Sequence, residues 1–345
     1  MSAQAATPSA ASAASAAPPL ALLCGASGFI GRHIACALRA AGWQVRPASR
    51  RSAPAVDYTR ATHASDWQPL LQGASAVINA VGVLRDSRAR PMQALHADAP
   101  CALFEACAAS GVRRVIHISA LGIDGSDPAA RTPYARTKRQ AEERLLALTA
   151  QGRLDGIALR PSLVFGAGGA STRLFLALAR LPVLALPRCA FTARVQPLAV
   201  WDLAEAVARL AASSAASHVI SHAANARPLT GLLELAGPQP LTLAAYIQQL
   251  RASQGRPPAR ALALPACITR ASARLGDALP FSPWCTQSLH LLSASNVASP
   301  AALPELLGRP ATAPAQFMQA LAAAAQADAP GVRKPQNGRD EGGAP

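Results

Sequence analysis

The chain has 345 residues, of which 51% are hydrophobic, 15% charged and only 4% aromatic, with a formal net charge of +15. That length accommodates one large core with a smaller lobe, or two ordinary domains, and the apolar content excludes a wholly disordered chain. A membrane-spanning helix is excluded as well: the most apolar window, residues 174–186, is broken by Arg180 and Pro182, far short of the roughly 20 apolar residues that a bilayer requires.

An isoelectric point near 11.0 invites a nucleic-acid reading. Yet the chain has only two lysines, Lys138 and Lys334, and its arginines are scattered singly or in pairs. Few aromatics are present to stack bases, so nucleic acid is not the expected partner. Such a surface meets phosphorylated cofactors, acidic partners or anionic lipid equally well. Seven cysteines without a C-x-x-C pair read as the reduced thiols of a cytoplasmic protein. His218 and His222 lie four apart without the Glu of H-E-x-x-H, so no metal is expected. Residues 19–24 superficially resemble a lipidated signal. No basic residue precedes them and Leu23 is too bulky for the cleavage position, so they read as a first strand.

Residues 1–18 form an Ala/Ser/Thr/Pro tract and 328–345 a Gly/Pro/charge-rich one, both expected to be disordered tails. Between them strands and helices alternate. A strand at 20–24 leads through glycines to a helix at 30–41, stopped by Gly42. The second strand, 43–48, is weakened by Pro47, which cannot donate a ladder bond. Short strands follow at 56–58 and 76–80, then a helix at 94–110 ended by Gly111. A fifth strand lies within 112–119, a long helix at 133–151 and a sixth strand at 156–159. This alternation predicts right-handed βαβ crossovers: an α/β fold with a doubly wound, Rossmann-type parallel sheet. Beyond residue 163 the pattern breaks into shorter pieces: a helix at 201–212, a strand at 232–235 and a helix N-capped by Thr242. The expected division is a nucleotide-binding domain at 19–225 and a smaller C-terminal substrate lobe at 226–327. Residues 163–200 are expected to contribute partly to the lobe.

Gly25-Ala-Ser27-Gly28-Phe29-Ile30-Gly31 sits between the first strand and first helix. Glycines there permit a tight turn and close approach of a pyrophosphate to free helix N–H groups. The alternative is a glycine-rich turn that binds nothing. At the tip of the second strand, where an NAD site usually offers a carboxylate, the chain reads Ala48-Ser49-Arg50-Arg51. Paired guanidiniums suit a 2′-phosphate, and Arg32 is placed to join them, so NADP(H) is favoured over NAD(H). A solvated arginine pair is the competing reading. Asp57 is read either as an acceptor for the adenine amino group or as a turn former.

Tyr134-Ala-Arg-Thr-Lys138 opens the long helix, with both functional side chains on one face at i, i+4. Three tyrosines and two lysines in 345 residues give only about 0.02 such pairs by chance. A lysine beside a tyrosine lowers the phenol pKa and still hydrogen-bonds a ribose. A surface ion near a semi-buried tyrosine is the bland alternative.

Together these motifs resemble the extended short-chain dehydrogenase/reductase superfamily, which includes sugar-nucleotide epimerases and dehydratases. The ordered matches are the three glycines, Asp57, Asn79-Ala80-Val81-Gly82, Ser119, Tyr134-x-x-x-Lys138, and Arg160-Pro161 with Val164-Phe-Gly166. Ser119-Ala-Leu-Gly122, Gln196-Pro197 with Asp202, and Gly237-Pro238 look like one branch, similar to the nucleotide-binding accessory subunit of respiratory complex I and its bacterial relatives. The resemblance implies Tyr134 as general acid/base and Lys138 as ribose ligand and tuner of Tyr134. It further implies that the 79–82 turn lines the adenine-side ribose and that the segment from Arg160-Pro161 to Val164 lines the nicotinamide. One departure stands out: relatives often carry two adjacent hydroxyl residues after the fifth strand, whereas here Ser119 is followed by Ala120. His96 and Asp98 are read as solvated helix residues.

Two functions follow as expectations. One is an NAD(P)-dependent oxidoreductase or epimerase/dehydratase with a small-molecule substrate. The other is a non-catalytic NADPH-binding structural or assembly protein associated with respiratory complex I. A cytoplasmic location is expected, with residues 174–191 read mainly as lobe core and secondarily as a peripheral contact at the inner membrane.

Overall fold

The structure, a computed structural model, describes residues 17–125, 128–213, 229–279, 282 and 284–327. Most of the N-terminal tail, the C-terminal tail, and His218 and His222 lie outside the described residues. The strands are β1 (Leu20–Cys24), β2 (Gln44–Ala48), β3 (Ala76–Asn79), β4 (Arg114–Ile118), β5 (Asp155–Pro161), β6 (Val164–Phe165), β7 (Val183–Pro187), β8 (Arg194–Val195), β9 (Leu198–Ala199), β10 (Gly231–Leu235), β11 (Leu241–Thr242) and β12 (Arg260–Leu264). The α-helices are α1 (Phe29–Ala40), α2 (Gln68–Leu71), α3 (Ala99–Ser110), α4 (Pro133–Ala150), α5 (Ala170–Leu178), α6 (Val200–Ala212), α7 (Leu243–Ala252), α8 (Ala266–Ala278), α9 (Thr286–Ser293), α10 (Ala302–Leu307) and α11 (Phe317–Ala327).

Six strands form one parallel sheet in the order β2-β1-β3-β4-β5-β10. Side chains alternate across it with period two. Leu23, Ile78, Ile116 and Leu159 face a core shared with α1, α6 and α10. Leu22, Val77, Val115 and Ala158 face a second core with α3 and α4. Pro47 is tolerated because β2 is the edge strand and its missing N–H breaks no inner ladder. Over the strand ends lies a third core in which Phe175 of α5, Leu184 of β7, Ile247 of α7 and Phe317 pack together. Thr132 caps α4 by accepting from Ala135 N at 3.2 Å, with Pro133 in the first helical position, where its missing N–H costs nothing.

Three expectations are corrected. The third strand expected at 56–58 does not form: Val56 N donates once to Ser49 O (2.9 Å), then Asp57 turns the chain by accepting from the backbone N and hydroxyl of Thr59. An Asx turn of this kind competes directly with strand pairing. The domain boundary at 225 also fails, because β10 is the sixth strand of the main sheet and Leu303 and Leu307 of α10 belong to its core. Finally, the helix expected from residue 94 begins as a π-helical turn, Ala94–Asp98.

Arg160 locks β5 to α4. It donates to both carboxylate oxygens of buried Glu142 at 3.0 and 2.5 Å and to Asp124 at 2.5 Å, with Glu234 3.7 Å away. Removing one member of a buried, bidentate pair strands the other charge. Glu142→Gln is therefore expected to lower the unfolding free energy by about 3–5 kcal/mol in urea denaturation. Asp124→Asn, at a carboxylate 55% exposed, should cost only about 0–1 kcal/mol.

Candidate functional site

The strand order reverses between β1 and β3, which opens a crevice at their carboxyl ends. The glycine turn fills it without side chains. Gly25 adopts φ +81°, and a Cβ there would sit 2.9 Å from the Ala80 carbonyl carbon. A Cβ on Gly31 would lie 2.0 Å from Gly25 O, while Gly28 N donates to the same oxygen at 2.9 Å. Helix α1 therefore starts at Gly28 with no side-chain cap and no acidic residue in its first turn. Its free N–H groups suit a phosphate. Ser27 and Gly28 are exposed and Phe29 and Ile30 half-buried at this turn.

A second glycine loop, missed in the sequence, flanks the first. Gly168 adopts φ +87°, and a Cβ there would lie 2.1 Å from the Arg32 guanidinium. A Cβ on Gly169 would lie 3.0 Å from the Phe29 ring. Arg32 thus lies along this loop. Arg50 and Arg51 are exposed at the end of β2. Asp57 is held below its usual carboxylate range by the Thr59 hydrogen bonds, with Arg50 adding to the effect.

The catalytic candidates converge around Lys138. Its buried ammonium donates to Val81 O at 3.2 Å and Ile118 O at 2.9 Å, which leaves the third N–H for a ligand. Burial brings its pKa down to about 8, partly offset by Glu142. Gly82 leaves room: a Cβ there would meet Lys138 Nζ at 3.4 Å. Tyr134, half-buried one turn earlier, is pushed up to about 12 by burial. Burial is the influence that acts here, and the lowering expected from Lys138 does not offset it. Ser119 is buried beyond the end of β4; its N donates to Leu159 O at 2.7 Å and its Oγ has no partner.

Three residues depart from their expected roles. Asn79 is buried, with its amide nitrogen 3.1 Å from His117 Nδ1 and its oxygen accepting from Val81 N at 3.2 Å. It shapes the 79–82 turn from within the fold. Arg160 is consumed by its carboxylates, while Pro161 ends β5 and Val164 opens β6. His96 is fully buried, not solvated, while Asp98 is exposed as expected. Val83 N donates to His96 Nε2 at 2.8 Å, so the ring proton sits on Nδ1, 3.1 Å from Thr137 Oγ1. Thr137 in turn donates to Pro133 O at 2.9 Å. This chain ties the loop after β3 to the first turn of α4, beside Tyr134, whose ring meets His96 edge-on at 5.4 Å.

A cleft of about 580 Å³ runs outward from Gly82. Leu163, Leu174, Phe175, Trp284, Leu291 and Leu292 give it apolar walls, and Arg85, Arg90 and Arg173 add positive charge. These side chains come from three distant segments, with no local pattern to announce them. Among the described residues no cluster of side chains could hold a metal ion, and no helix is long and apolar enough to cross a membrane.

Residues 21–224 match the NAD dependent epimerase/dehydratase family. A protein of Caulobacter vibrioides named ceramide reductase is 30% identical over 195 residues, which cover 52% of this chain and 57% of that protein. The match thus spans less than two thirds of that relative. Among solved structures, MoeE5 in complex with UDP-glucuronic acid and NAD aligns with a TM-score of 0.61 at 19% identity, over 90% of this chain and 99% of that one. NADPH-dependent quinone oxidoreductase QOR2 from Escherichia coli, complexed with NADPH, aligns at 0.62 and 18%, over 88% and 99%. UDP-N-acetylglucosamine 4-epimerase from Bacillus cereus gives 0.60 and 14%, over 88% and 99%. At these identities the likeness is one of fold.

Burial lowers the pKa of His96 to about 2, and burial together with Lys138 lowers that of His117 well below 6.5. Below pH 6.5 the unfolded chain takes up protons at both imidazoles and the folded chain does not, so stability falls as pH falls. Each ring should contribute a slope approaching about 1.4 kcal/mol per pH unit between about pH 6 and 5. Denaturation curves of His96→Gln should show one imidazole's share of that slope removed.

Proposed function

This chain belongs to the NAD dependent epimerase/dehydratase family, and we propose that it is an NADP(H)-dependent reductase acting on the carbonyl of an amphiphilic substrate. The observation that carries this reading is the convergence of Tyr134, the spare N–H of Lys138 and the unpartnered Ser119 Oγ around the loop at which an apolar cleft begins. The uncapped start of α1, between two glycine loops that side chains would fill, fits a dinucleotide pyrophosphate.

When bound, the nicotinamide supplies the hydride. Lys138 is the donor for a ribose hydroxyl, and its positive charge stabilises the phenolate that remains after proton transfer. A phenol held near 12 is protonated throughout the neutral range. That suits donation to a substrate oxygen better than abstraction from one. Tyr134 would give its proton to the carbonyl oxygen of the substrate, and solvent would later restore it. Ser119 Oγ is the hydrogen-bond donor to the same oxygen, filling the role that Ala120 cannot take. Arg50 and Arg51, exposed beside the β2 tip, are the 2′-phosphate ligands. The apolar walls fit a hydrocarbon-bearing substrate, in keeping with the name of the Caulobacter relative.

Tyr134→Phe should lower kcat by about 10²–10⁴-fold in an NADPH-oxidation assay with a long-chain keto substrate, while NADPH affinity is retained. Turnover that ignores this change removes the acid/base role from Tyr134, whereas a protein that binds NADPH tightly and turns nothing over is instead the non-catalytic nucleotide-binding subunit that the complex I resemblance implies. Replacing Arg50 and Arg51 with Ala should weaken NADPH by about ten- to a hundredfold in fluorescence titrations and leave NADH unchanged.

A further inference from the structure

We infer that the outward surface of β7, β12 and α8 docks on a bilayer containing anionic phospholipid. Six of the eight large hydrophobic side chains most exposed among the described residues lie here: Leu181, Val183, Leu262, Ile268, Leu275 and Leu279. Such a concentration in two short segments, residues 181–183 and 262–279, differs from apolar residues scattered singly over a surface. Helix α8 rests on the body through Thr269, Ala273 and Gly276. Ile268 and Leu275, spaced i, i+7, form a separate stripe along it, exposed by 51% and 68%, and Leu279, 55% exposed, follows directly after its last turn. The parallel register pairs Arg260 with Val183 and Leu262 with Ala185, so both strands present these residues on one face.

Charge selects the occupant. Arg260 is exposed on the β7–β12 face and Arg270 and Arg274 on α8, and none of the three forms an ion pair among the described residues. The one carboxylate on α8, Asp277, is 3.9 Å from Arg85 and accepts from Thr286 N and Oγ1 at 3.0 and 2.9 Å. Arginine stems lie along apolar surface while their heads reach phosphates, which is the pattern of an interfacial helix. The surface also adjoins the cleft. Trp284, in the cleft wall, donates from Nε1 to Ser272 of α8 at 3.2 Å. Its carbonyl oxygen would lie only 2.1 Å from a Cβ on Gly276. An amphiphile leaving the bilayer would therefore meet the cleft one layer beneath α8.

The surface uses residues that play no part in the reductase reading, so the two fail separately. Co-sedimentation of the full chain with vesicles of phosphatidylglycerol and phosphatidylcholine tests it, with pure phosphatidylcholine vesicles as the comparison. Binding is expected to the anionic vesicles and to weaken with salt. Leu275→Glu and the double change Arg270→Gln/Arg274→Gln should each weaken it by about tenfold, with NADPH affinity and far-ultraviolet circular dichroism unchanged. Absence of vesicle binding, or binding indifferent to Leu275→Glu, overturns the inference. So does a dimer in sedimentation velocity that Leu275→Glu splits while vesicles remain unbound, because the stripe would then be covered by a second copy of the chain.

Discussion

One buried ammonium joins the parts on which the site depends. Lys138 of α4 reaches the carbonyl after β3 and the last carbonyl of β4, so three chain segments meet at a single nitrogen. Strand ends diverge under sheet twist, and the loops that leave them have few backbone partners of their own. A point charge with three donors satisfies two of those carbonyls at once. A guanidinium, larger and planar, has no such fit in the space beside Gly82. This explains why a chain that uses arginine almost everywhere keeps lysine here.

The neighbours of that nitrogen are built to tolerate it. His96 and His117 are both held neutral beside the ammonium, His96 with partners on both ring nitrogens and His117 with one on Nδ1. Glu142, one turn further along α4, supplies the nearest negative charge but is shared with Arg160. The result is a polar layer under the nucleotide crevice in which few buried groups are left without partners. Ser119 Oγ and His117 Nε2 are the exceptions near the site, and the former is the donor that the proposed reaction would use.

Much of this was legible locally. The glycine turn, the second strand weakened by Pro47, the cap at Thr242 and the Tyr134–Lys138 spacing depend on residues within a few positions of one another, and the structure places them accordingly. Roles set by distant partners were not legible. Asn79 is claimed by His117, 38 residues away, and His96 by Thr137, 41 away. The branch-like motifs also prove structural. Gln196 bridges Gly237 O and Ala298 N, Gly237 lies against Pro197 O, and Asp202 accepts from Arg309 and Thr312 N. These residues stitch the late chain onto the early sheet, so their presence reports how the lobes are joined more directly than what the protein does.

That stitching has a consequence for biosynthesis. The sheet lacks its sixth strand until residue 235 is made, and one helical face lacks Leu303 and Leu307 until α10 follows. At about 5–20 residues per second, a ribosome leaves the edge of β5 and the apolar face of α6 uncovered for roughly 4–19 s after each has been synthesised. The amino-terminal two thirds of the chain is therefore an aggregation-prone species, and a chaperone that shields strand edges has its longest window of action on this protein before the last hundred residues emerge.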